Sequence, residues 1–445
     1  MTDVTSTWFF ILGILLFIVG LAISIGLHEL GHLIPAKIFK VPVAKYFIGF
    51  GPTVFSRKKG ETEYGVKAIP LGGYISIGGM YPPRDPNARP SRMPAFMRKF
   101  VEDAQDSNAD SMKGFDESRA FYRLPVWKRI IVMFGGPFMN LVLAFVLLSI
   151  VLVGIGKPGA TTTVEALSPC IYGVTQTQSI CTSDSPASPS VTGGLKPGDR
   201  LVSIDGQSVG NWSAGTAVIQ RSSGKPLSFV VERDGKPVTL TITPVPGERY
   251  KVDANGDPIL GSDGKPVLAT VGVIGVVPKT GFVPQPVTAV FATMGQTVTG
   301  TVQLIGNLPN KLGEVTVAAF GTEARPIDSP VSVVGVGRVA GEIASTNTIT
   351  PESKIATGLS VLASLNIALF VFNLIPLLPL DGGHIASALF EAIRRKTATL
   401  RGKKDPGPFD ASILMPLTFV VMAVLMAMSA LLIYADIVKP ITIFG

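Results

Sequence analysis

The chain is poor in charged residues, which excludes an ordinary soluble protein. Asp, Glu, Lys and Arg make up 16% of its 445 residues, and the mean hydropathy is +0.42. This composition indicates a multispan membrane protein with room for one soluble domain. A helix needs about 20 apolar residues to cross a bilayer. Four apolar segments meet that length, at residues 8–34, 130–155, 355–380 and 413–434.

The first apolar segment lacks the basic residues that introduce a cleavable signal peptide. Only one charged residue, Asp3, precedes it. A signal peptide has a positively charged region at that point, so we expect the segment to stay in the membrane as a helix.

Histidine is scarce as well, with only His28, His32 and His384 in the chain. His28 and His32 lie in the first apolar segment, in LHELGHLI, and four residues apart they share one face of a helix. This spacing lets two imidazoles bind one zinc ion, with Glu29 placed to take a proton from water. Such groups are costly in lipid unless they are functional. The alternative is a pair of membrane histidines satisfied by neighbouring backbone.

A catalytic zinc site needs three protein ligands, and HELGH supplies two. Asp381 is the candidate third ligand, in FNLIPLLPLDGGH at the end of a later apolar segment. Two prolines and two glycines flank Asp381 and predict a broken helix, which a membrane protein tolerates only beside protein or a cavity. The alternative is an aspartate that caps a turn or a helix end.

Together these motifs resemble the site-2 protease family of intramembrane zinc metalloproteases. HExxH in the first helix is paired with NxxPxxxLDGGH at residues 373–384. The family's bacterial, PDZ-containing branch is also matched by IGFGPTVFS (48–56), ETEYGVKAIPLGGYISIGGM (61–80) and FGGPFMN (134–140). The resemblance covers nearly the whole chain. It implies one Zn²⁺ ion per chain on His28, His32 and Asp381, with Glu29 as the general base.

The basic residues indicate topology rather than a nucleic-acid partner. Residues 37–123 hold 15 Lys and Arg against 9 Asp and Glu, and residues 391–410 hold 6 against 3. Residues 157–354 hold 15 of each. By the positive-inside rule the first two regions are cytoplasmic. We therefore expect a multipass protein of the bacterial plasma membrane, with both termini and residues 157–354 extracytoplasmic.

Only two cysteines are present, Cys170 and Cys181, and both fall in the external segment. An oxidising location predicts that they form a disulfide bond closing a small loop. The alternatives are two free thiols or a zinc-binding pair.

Residues 41–80 predict a β-hairpin, because two β-rich runs flank the charged turn RKKGET. In the family this region enters the membrane beside the active site, where a strand edge could hold an unwound substrate. We expect Gly72, Gly73 and Tyr74 on that edge. The family motif also implies that Asn373 contacts the substrate or its oxyanion. The alternatives are an ordinary surface hairpin and a helix-capping Asn373.

The external segment resembles a PDZ domain of bacterial proteases over residues 161–277. LSFVVERDGKPVTLTITPV predicts a hairpin with a tight turn at Asp234 and Gly235. PDZ domains bind an extended peptide or a C-terminus by strand addition beside a Gly-Leu turn, here Gly194 and Leu195.

The predicted fold class is a polytopic α-helical membrane protein with four transmembrane helices, a membrane-associated β-hairpin and one extracytoplasmic α+β PDZ domain. The predicted order is a first transmembrane helix with HELGH (1–40), the hairpin (41–80), a flexible cytoplasmic loop (81–123), a second transmembrane helix (124–157), the PDZ domain (161–277), an amphipathic juxtamembrane linker (278–354), a third transmembrane helix with LDGGH (355–390), a cytoplasmic loop (391–412) and a fourth transmembrane helix (413–437).

The predicted function is zinc-dependent hydrolysis of peptide bonds in the transmembrane segments of single-span proteins. A helical substrate hides its carbonyls in hydrogen bonds, so it must unwind locally first. The resemblance implies anti-sigma factors or similar regulators as substrates, already cut outside the membrane by an upstream site-1 protease. Two alternatives are a non-catalytic PDZ scaffold with a structural metal and a metal transporter that uses HELGH and Asp381.

Overall fold

The computed structural model describes residues 4–83, 95–171, 181, 185, 187–251 and 259–442. The chain divides into two compact units. The first unit comprises residues 1–151 and 286–445, and the second unit comprises residues 152–285. Among the described residues, four helices are long and apolar enough to cross a membrane: Thr5–Ile38, Val126–Ile155, Pro351–Asn373 and Ala411–Val438. The predicted polytopic membrane class is confirmed.

The described elements are numbered here in chain order. The helices are α1 (Val4–Ile38), α2 (Ala95–Ser111), α3 (Val126–Ser149, continued by a π-helical turn at Ile150–Ile155), α4 (Pro189–Thr192), α5 (Trp212–Arg221), α6 (Val287–Gly306), α7 (Leu308–Phe320), α8 (Val333–Ser345), α9 (Pro351–Asn373), α10 (Asp381–Leu400) and α11 (Met415–Val438). The strands are β1 (Val43–Lys59), β2 (Thr62–Ile77), β3 (Lys157–Leu167), β4 (Arg200–Ile204), β5 (Gln207–Ser208), β6 (Leu227–Arg233), β7 (Lys236–Ile242), β8 (Val245–Tyr250), β9 (Leu268–Val273) and β10 (Val276–Val283).

Residues 355–390, predicted as a third membrane helix that breaks beside Asp381, belong to two helices. α9 ends at Asn373 and α10 begins at Asp381. Pro376 and Pro379 lie between them, and proline has no backbone N–H with which to continue a helix. The break places Asp381 in the first turn of a new helix, while its neighbours Gly382 and Gly383 pack against the backbone of residues 374–378.

The predicted hairpin is folded on itself into a sheet of four segments. β1 and β2 are antiparallel, and residues 43–48 pair on one side with residues 73–77, while residues 45–48 pair on the other with residues 63–66. Residues 53–59 then pair with residues 62–67. The bends require glycine: Gly49, Gly51 and Gly72 have φ values of 93°, 83° and 123°, which side chains rarely tolerate. The folding leaves residues 73–77 along one edge of the sheet.

The stretch at 81–123, predicted as a flexible loop, contains α2 and two 3₁₀ turns, Glu117–Arg119 and Phe121–Arg123. The Asn108 amide bonds to both the backbone N and O of Tyr81, at 3.1 and 2.8 Å. Gln105 donates to Asp410 and Ser412, at 3.1 Å each. The flexible-loop prediction is therefore wrong for residues 95–123, because side-chain hydrogen bonds attach α2 at both places; residues 84–94 lie outside the described part.

The stretch at 278–354, predicted as an amphipathic linker, holds three helices of the first unit, α6, α7 and α8. α8 lies close to α1 because glycine leaves room between the two helices. A Cβ on Gly341 of α8 would lie only 2.7 Å from the Phe10 ring of α1. The linker prediction therefore misses helices that pack within the membrane-spanning unit.

The second unit contains a sheet in the order β10–β3–β4–β6–β7, with β5 paired to β4, and a separate β8–β9 pair. Successive side chains of a strand point to opposite faces, and the inward-facing positions of this sheet carry apolar residues that form the core. The central side chains, each at most 1% exposed, are Leu201, Ile204, Phe229, Val231 and Ile242. Cys170 and Cys181 form a disulfide bond with their Cα atoms 5.8 Å apart.

Candidate metal centre

Three side chains from two helices converge in the first unit. His28 and His32 lie one turn apart on α1, and Asp381 begins α10. The Nε2 atoms of the two histidines are 3.3 Å apart, and the Asp381 oxygens lie 3.3 Å from His28 Nε2 and 3.4 Å from His32 Nε2. One donor atom from each residue therefore lies within 4.8 Å of the other two.

The donor set fits zinc. Nδ1 of His32 lies 2.8 Å from the Val132 carbonyl oxygen, so Nδ1 carries the proton and the Nε2 lone pair faces the other donors. Oδ2 of Asp381 is buried and, apart from His28 Nε2 at 3.3 Å, has no hydrogen-bond partner in the described part of the chain, which a native structure rarely tolerates. Two imidazoles and a carboxylate give the three protein ligands of a catalytic zinc site.

Glycines on α3 make room for this cluster. A Cβ on Gly135 would collide with the Gly31 carbonyl of α1, so the two helices touch through their backbones. A Cβ on Gly136 would collide with the imidazole of His32 and lie 2.8 Å from that of His28. The two glycines of FGGPFMN therefore allow α3 to press directly against the histidine face of α1.

The cluster opens into a cavity of about 310 Å³. Glu29 and Asn373 line it, together with Gly73 and Tyr74 from the sheet edge. The remaining lining residues are His28, His32, Ile75, Ile77, Met80, Met133, Pro379, Asp381 and His384. The candidate base, the donor atoms and the edge of β2 thus face one space.

Gly72 belongs to β2 but does not line this cavity, and its predicted place on the substrate-binding edge stays a prediction. It lies against the ring of Phe50, and a Cβ on it would lie 2.0 Å from that ring. Gly72 acts through the backbone instead, because its positive φ turns the strand so that Gly73 and Tyr74 reach the cavity.

His384 also lines the cavity without offering a donor to the cluster. Its ring centroid lies 6.5 Å from that of Tyr81, which belongs to the turn after β2. Burial raises the pKa of Tyr81 to about 12, so the phenol stays neutral there. The Tyr81 ring lies beside His384 but does not itself line the cavity.

Residues 16–415 match the model of peptidase family M50. The chain belongs to peptidase family M50. It is 34% identical to zinc metalloprotease Rip1 of Mycobacterium tuberculosis over 98% of this chain and 99% of that protein. It is 33% identical to zinc metalloprotease Rip1 of Mycolicibacterium smegmatis (97% and 99% covered) and 27% identical to metalloprotease MmpA of Caulobacter vibrioides (92% and 93%).

The predicted family, the zinc cofactor and the protease activity are confirmed by these matches. This M50 peptidase is an intramembrane zinc metalloprotease. The scaffold and transporter alternatives are thereby set aside.

The second unit of the M50 peptidase has its own cavity of about 450 Å³. Its walls include Trp212 and Ile219 of α5 and the segment 272–277. Gly194 and Leu195 do not line it. The Leu195 side chain is 3% exposed and packs into the apolar core, and the peptide groove predicted beside the Gly-Leu turn stays a prediction.

Sequence reasoning missed the contribution of Val132 to the metal centre of the M50 peptidase and left those of Gly136 and Asn140 open. Val132 contributes only its backbone carbonyl, and such a contact cannot be predicted from the type of side chain. Gly136 and Asn140 were visible in FGGPFMN, but the face that α3 turns toward α1 depends on packing. The two small residues of this motif were the available sequence signal, because glycines allow two membrane helices to approach closely.

Proposed function

We propose that His28, His32 and Asp381 bind the zinc ion and that Glu29 is the general base for peptide hydrolysis in the membrane. The convergence of the three donors with Glu29 on one cavity carries this proposal. When bound, zinc supplies Lewis acidity, which acidifies water and polarises the substrate carbonyl.

Glu29 follows His28 on α1 and faces the sheet edge. A Cβ on Gly73 would lie 3.3 Å from Glu29 Cγ, so the carboxylate sits beside the strand that borders the cavity. From there Glu29 takes a proton from the attacking water and returns it to the leaving nitrogen.

The edge of β2 holds the substrate in this proposal. Gly73, Tyr74 and Ile75 line the cavity from residues 73–77, the outer segment of the sheet. A locally unwound transmembrane segment can pair with such an edge, which satisfies backbone groups that lipid cannot. Asn373, the last residue of α9, lines the same space, and its amide can donate to the carbonyl under attack.

The substrates we propose are single-span membrane proteins such as anti-sigma factors, cut first outside the membrane by a site-1 protease. The distribution of basic residues supports a plasma-membrane protein whose termini and second unit are extracytoplasmic. The cavity suits an unwound strand rather than a folded domain. A prior external cut would remove the substrate's folded domain before its membrane segment enters.

The second unit is proposed to be a PDZ domain over residues 161–277, with a peptide cleft different from the one predicted. The cavity between α5 and the Val273–Val276 segment suits an extended peptide. Trp212 and Ile219 offer apolar contact on one side, and the segment 272–277 forms the other side.

The test is Glu29→Gln in the reconstituted full chain, with a tagged single-span substrate that lacks its external domain. Zinc should stay near one per chain, while cleavage falls about 10²–10⁴-fold because the base is lost. The matched control is Glu165→Gln, which removes an exposed carboxylate from β3 and should leave cleavage unchanged. Cleavage at the wild-type rate by Glu29→Gln would overturn the assignment of the base.

A further inference from the structure

The two candidate histidine ligands are held through Nδ1 by different partners on α3. His32 Nδ1 lies 2.8 Å from the carbonyl oxygen of Val132. His28 Nδ1 lies 3.1 Å from the side-chain amide of Asn140. Each imidazole therefore turns Nε2 toward Asp381 and has its other nitrogen occupied by α3.

A histidine that binds metal through Nε2 carries its proton on Nδ1 and needs an acceptor there. Val132 meets this need for His32, because a carbonyl oxygen only accepts. The Asn140 amide can present either its oxygen or its nitrogen, since the two exchange by half a turn and only the hydrogen bonds decide between them. Binding of metal by His28 requires the oxygen.

The surroundings leave Asn140 no other evident task. The residue is 1% exposed, and its Oδ1 has no hydrogen-bond partner among the described residues when Nδ2 faces His28. Gly136, one turn earlier on α3, keeps the space beside the imidazoles clear. With Oδ1 turned to Nδ1–H of His28, the orphaned oxygen gains the donor that the metal-binding tautomer offers.

We propose that Asn140 is a positioning residue for zinc: its Oδ1 accepts from His28 Nδ1–H and fixes the tautomer and ring orientation that place the Nε2 lone pair at the metal. This inference rests on the proposed role of His28 as a ligand. It gives GGPFMN two separate tasks, in which the glycines admit the imidazoles and the asparagine orients one of them.

The first experiment measures zinc affinity of the full chain in detergent by competition with a chromophoric chelator. Asn140→Leu keeps the size and removes the acceptor, so zinc should bind about 10–100-fold more weakly. Asn140→Asp can only accept, so it should bind zinc at least as tightly as the wild type. This rescue separates an acceptor role from packing.

The matched control is Asn366→Leu, which removes another fully buried asparagine of the first unit. Asn366 donates to Ser24 Oγ and to the Leu362 carbonyl at 2.9 and 2.8 Å, and it offers no donor to the candidate centre. Its loss should leave zinc affinity at the wild-type value. Wild-type affinity in Asn140→Leu would overturn the proposal, and so would a folded Asn140→Asp that binds zinc as weakly as Asn140→Leu.

A second measurement needs no Asn140 variant. In wild-type protein with ¹⁵N-labelled histidine, assigned by replacing His28 or His384, the zinc-loaded form should show His28 protonated at Nδ1. A proton on Nε2 of His28 would overturn the proposal. The ligand assignment is tested apart: if His28→Ala binds zinc as tightly as wild type, His28 is not a ligand, whatever Asn140 does.

Discussion

The two units of this protein place their polar residues in opposite ways. The first unit buries many polar side chains, among them His32, Arg129, Asn140, Arg325, Asn366, Glu391 and Asp436. Its helices expose apolar ones, such as Leu16 and Val424, which are 62% and 61% exposed. In the described part of the second unit, the buried polar residues are Ser188, Ser190 and Asp199.

The difference shows where function can be recognised. In a membrane the surface must be apolar, so a polar side chain inside needs a partner or a task. Two buried ion pairs, Arg129–Glu391 and Arg325–Asp436, account for four of the charges. His28, His32 and Asp381 instead face one another. In such a unit the buried polar residues that are not paired mark the site.

The largest effect on stability is expected from breaking the Arg325–Asp436 pair. Arg325 Nη1 lies 2.6 Å from Asp436 Oδ1, both side chains are 2% exposed, and Asp436 Oδ2 also accepts from the Ser332 amide before α8. Asp436→Ala leaves a buried guanidinium without its counter-charge, although Arg325 still donates to the Pro330 carbonyl, and should lower the free energy of unfolding by about 3–5 kcal/mol. Thermal unfolding in detergent measures it.

The control for this prediction is the exposed pair of the second unit. Arg200 and Glu232 are in contact but 53% and 40% exposed. Glu232→Ala should therefore cost less than about 1 kcal/mol. Equal losses in Asp436→Ala and Glu232→Ala would mean that burial does not distinguish the pairs, and the comparison of the units would fail.

The next effect is expected from a cavity in the second unit. Leu201 on β4 is 1% exposed, and Leu201→Ala should destabilise by about 2–5 kcal/mol because the surrounding core relaxes only in part. Hydrogen exchange should speed up along β4 and β6, while zinc content stays constant, since the candidate ligands belong to the first unit. Loss of zinc together with this core would show that both units unfold as one.

The metal centre was more predictable from the sequence than its supports were. His28 and His32 carry a local signal, because a spacing of four fixes a shared helix face. Asp381 is conspicuous as an acid beside prolines in an apolar run. Asn140 stands out in the sequence, but its partner, like the role of the Val132 carbonyl, is recognisable only once α3 lies against α1, and that orientation depends on the close contact of Gly31 and Gly135.

The fold shows the same limit at longer range. Sequence alternation predicts that β1 and β2 pair, but the folding of the hairpin on itself depends on the positive φ of Gly72 and Gly49. α2 was missed because Gln105 and Asn108 attach it through hydrogen bonds rather than through an apolar stripe. A Gly-Leu turn does not reveal which side chain faces the core, and here the Leu195 side chain is buried.

The smallest effect is expected from Asp199, the one buried acid described in the second unit. Burial alone would raise the pKa of its carboxyl, but hydrogen bonds from Arg233 (2.7 and 2.8 Å) and the Lys196 amide (2.8 Å) hold that pKa below its usual value. A depressed folded-state pKa stabilises the fold above the unfolded value of about 3.9, and this stabilisation is lost as pH falls through the folded pKa. Urea unfolding followed by Trp212 fluorescence, with the other two tryptophans replaced by Phe, should therefore show a midpoint that falls below about pH 4. The urea midpoint of Asp199→Asn should be lower at neutral pH and should depend less on pH. An equal fall of the midpoint at acid pH in both proteins would assign that fall to other groups.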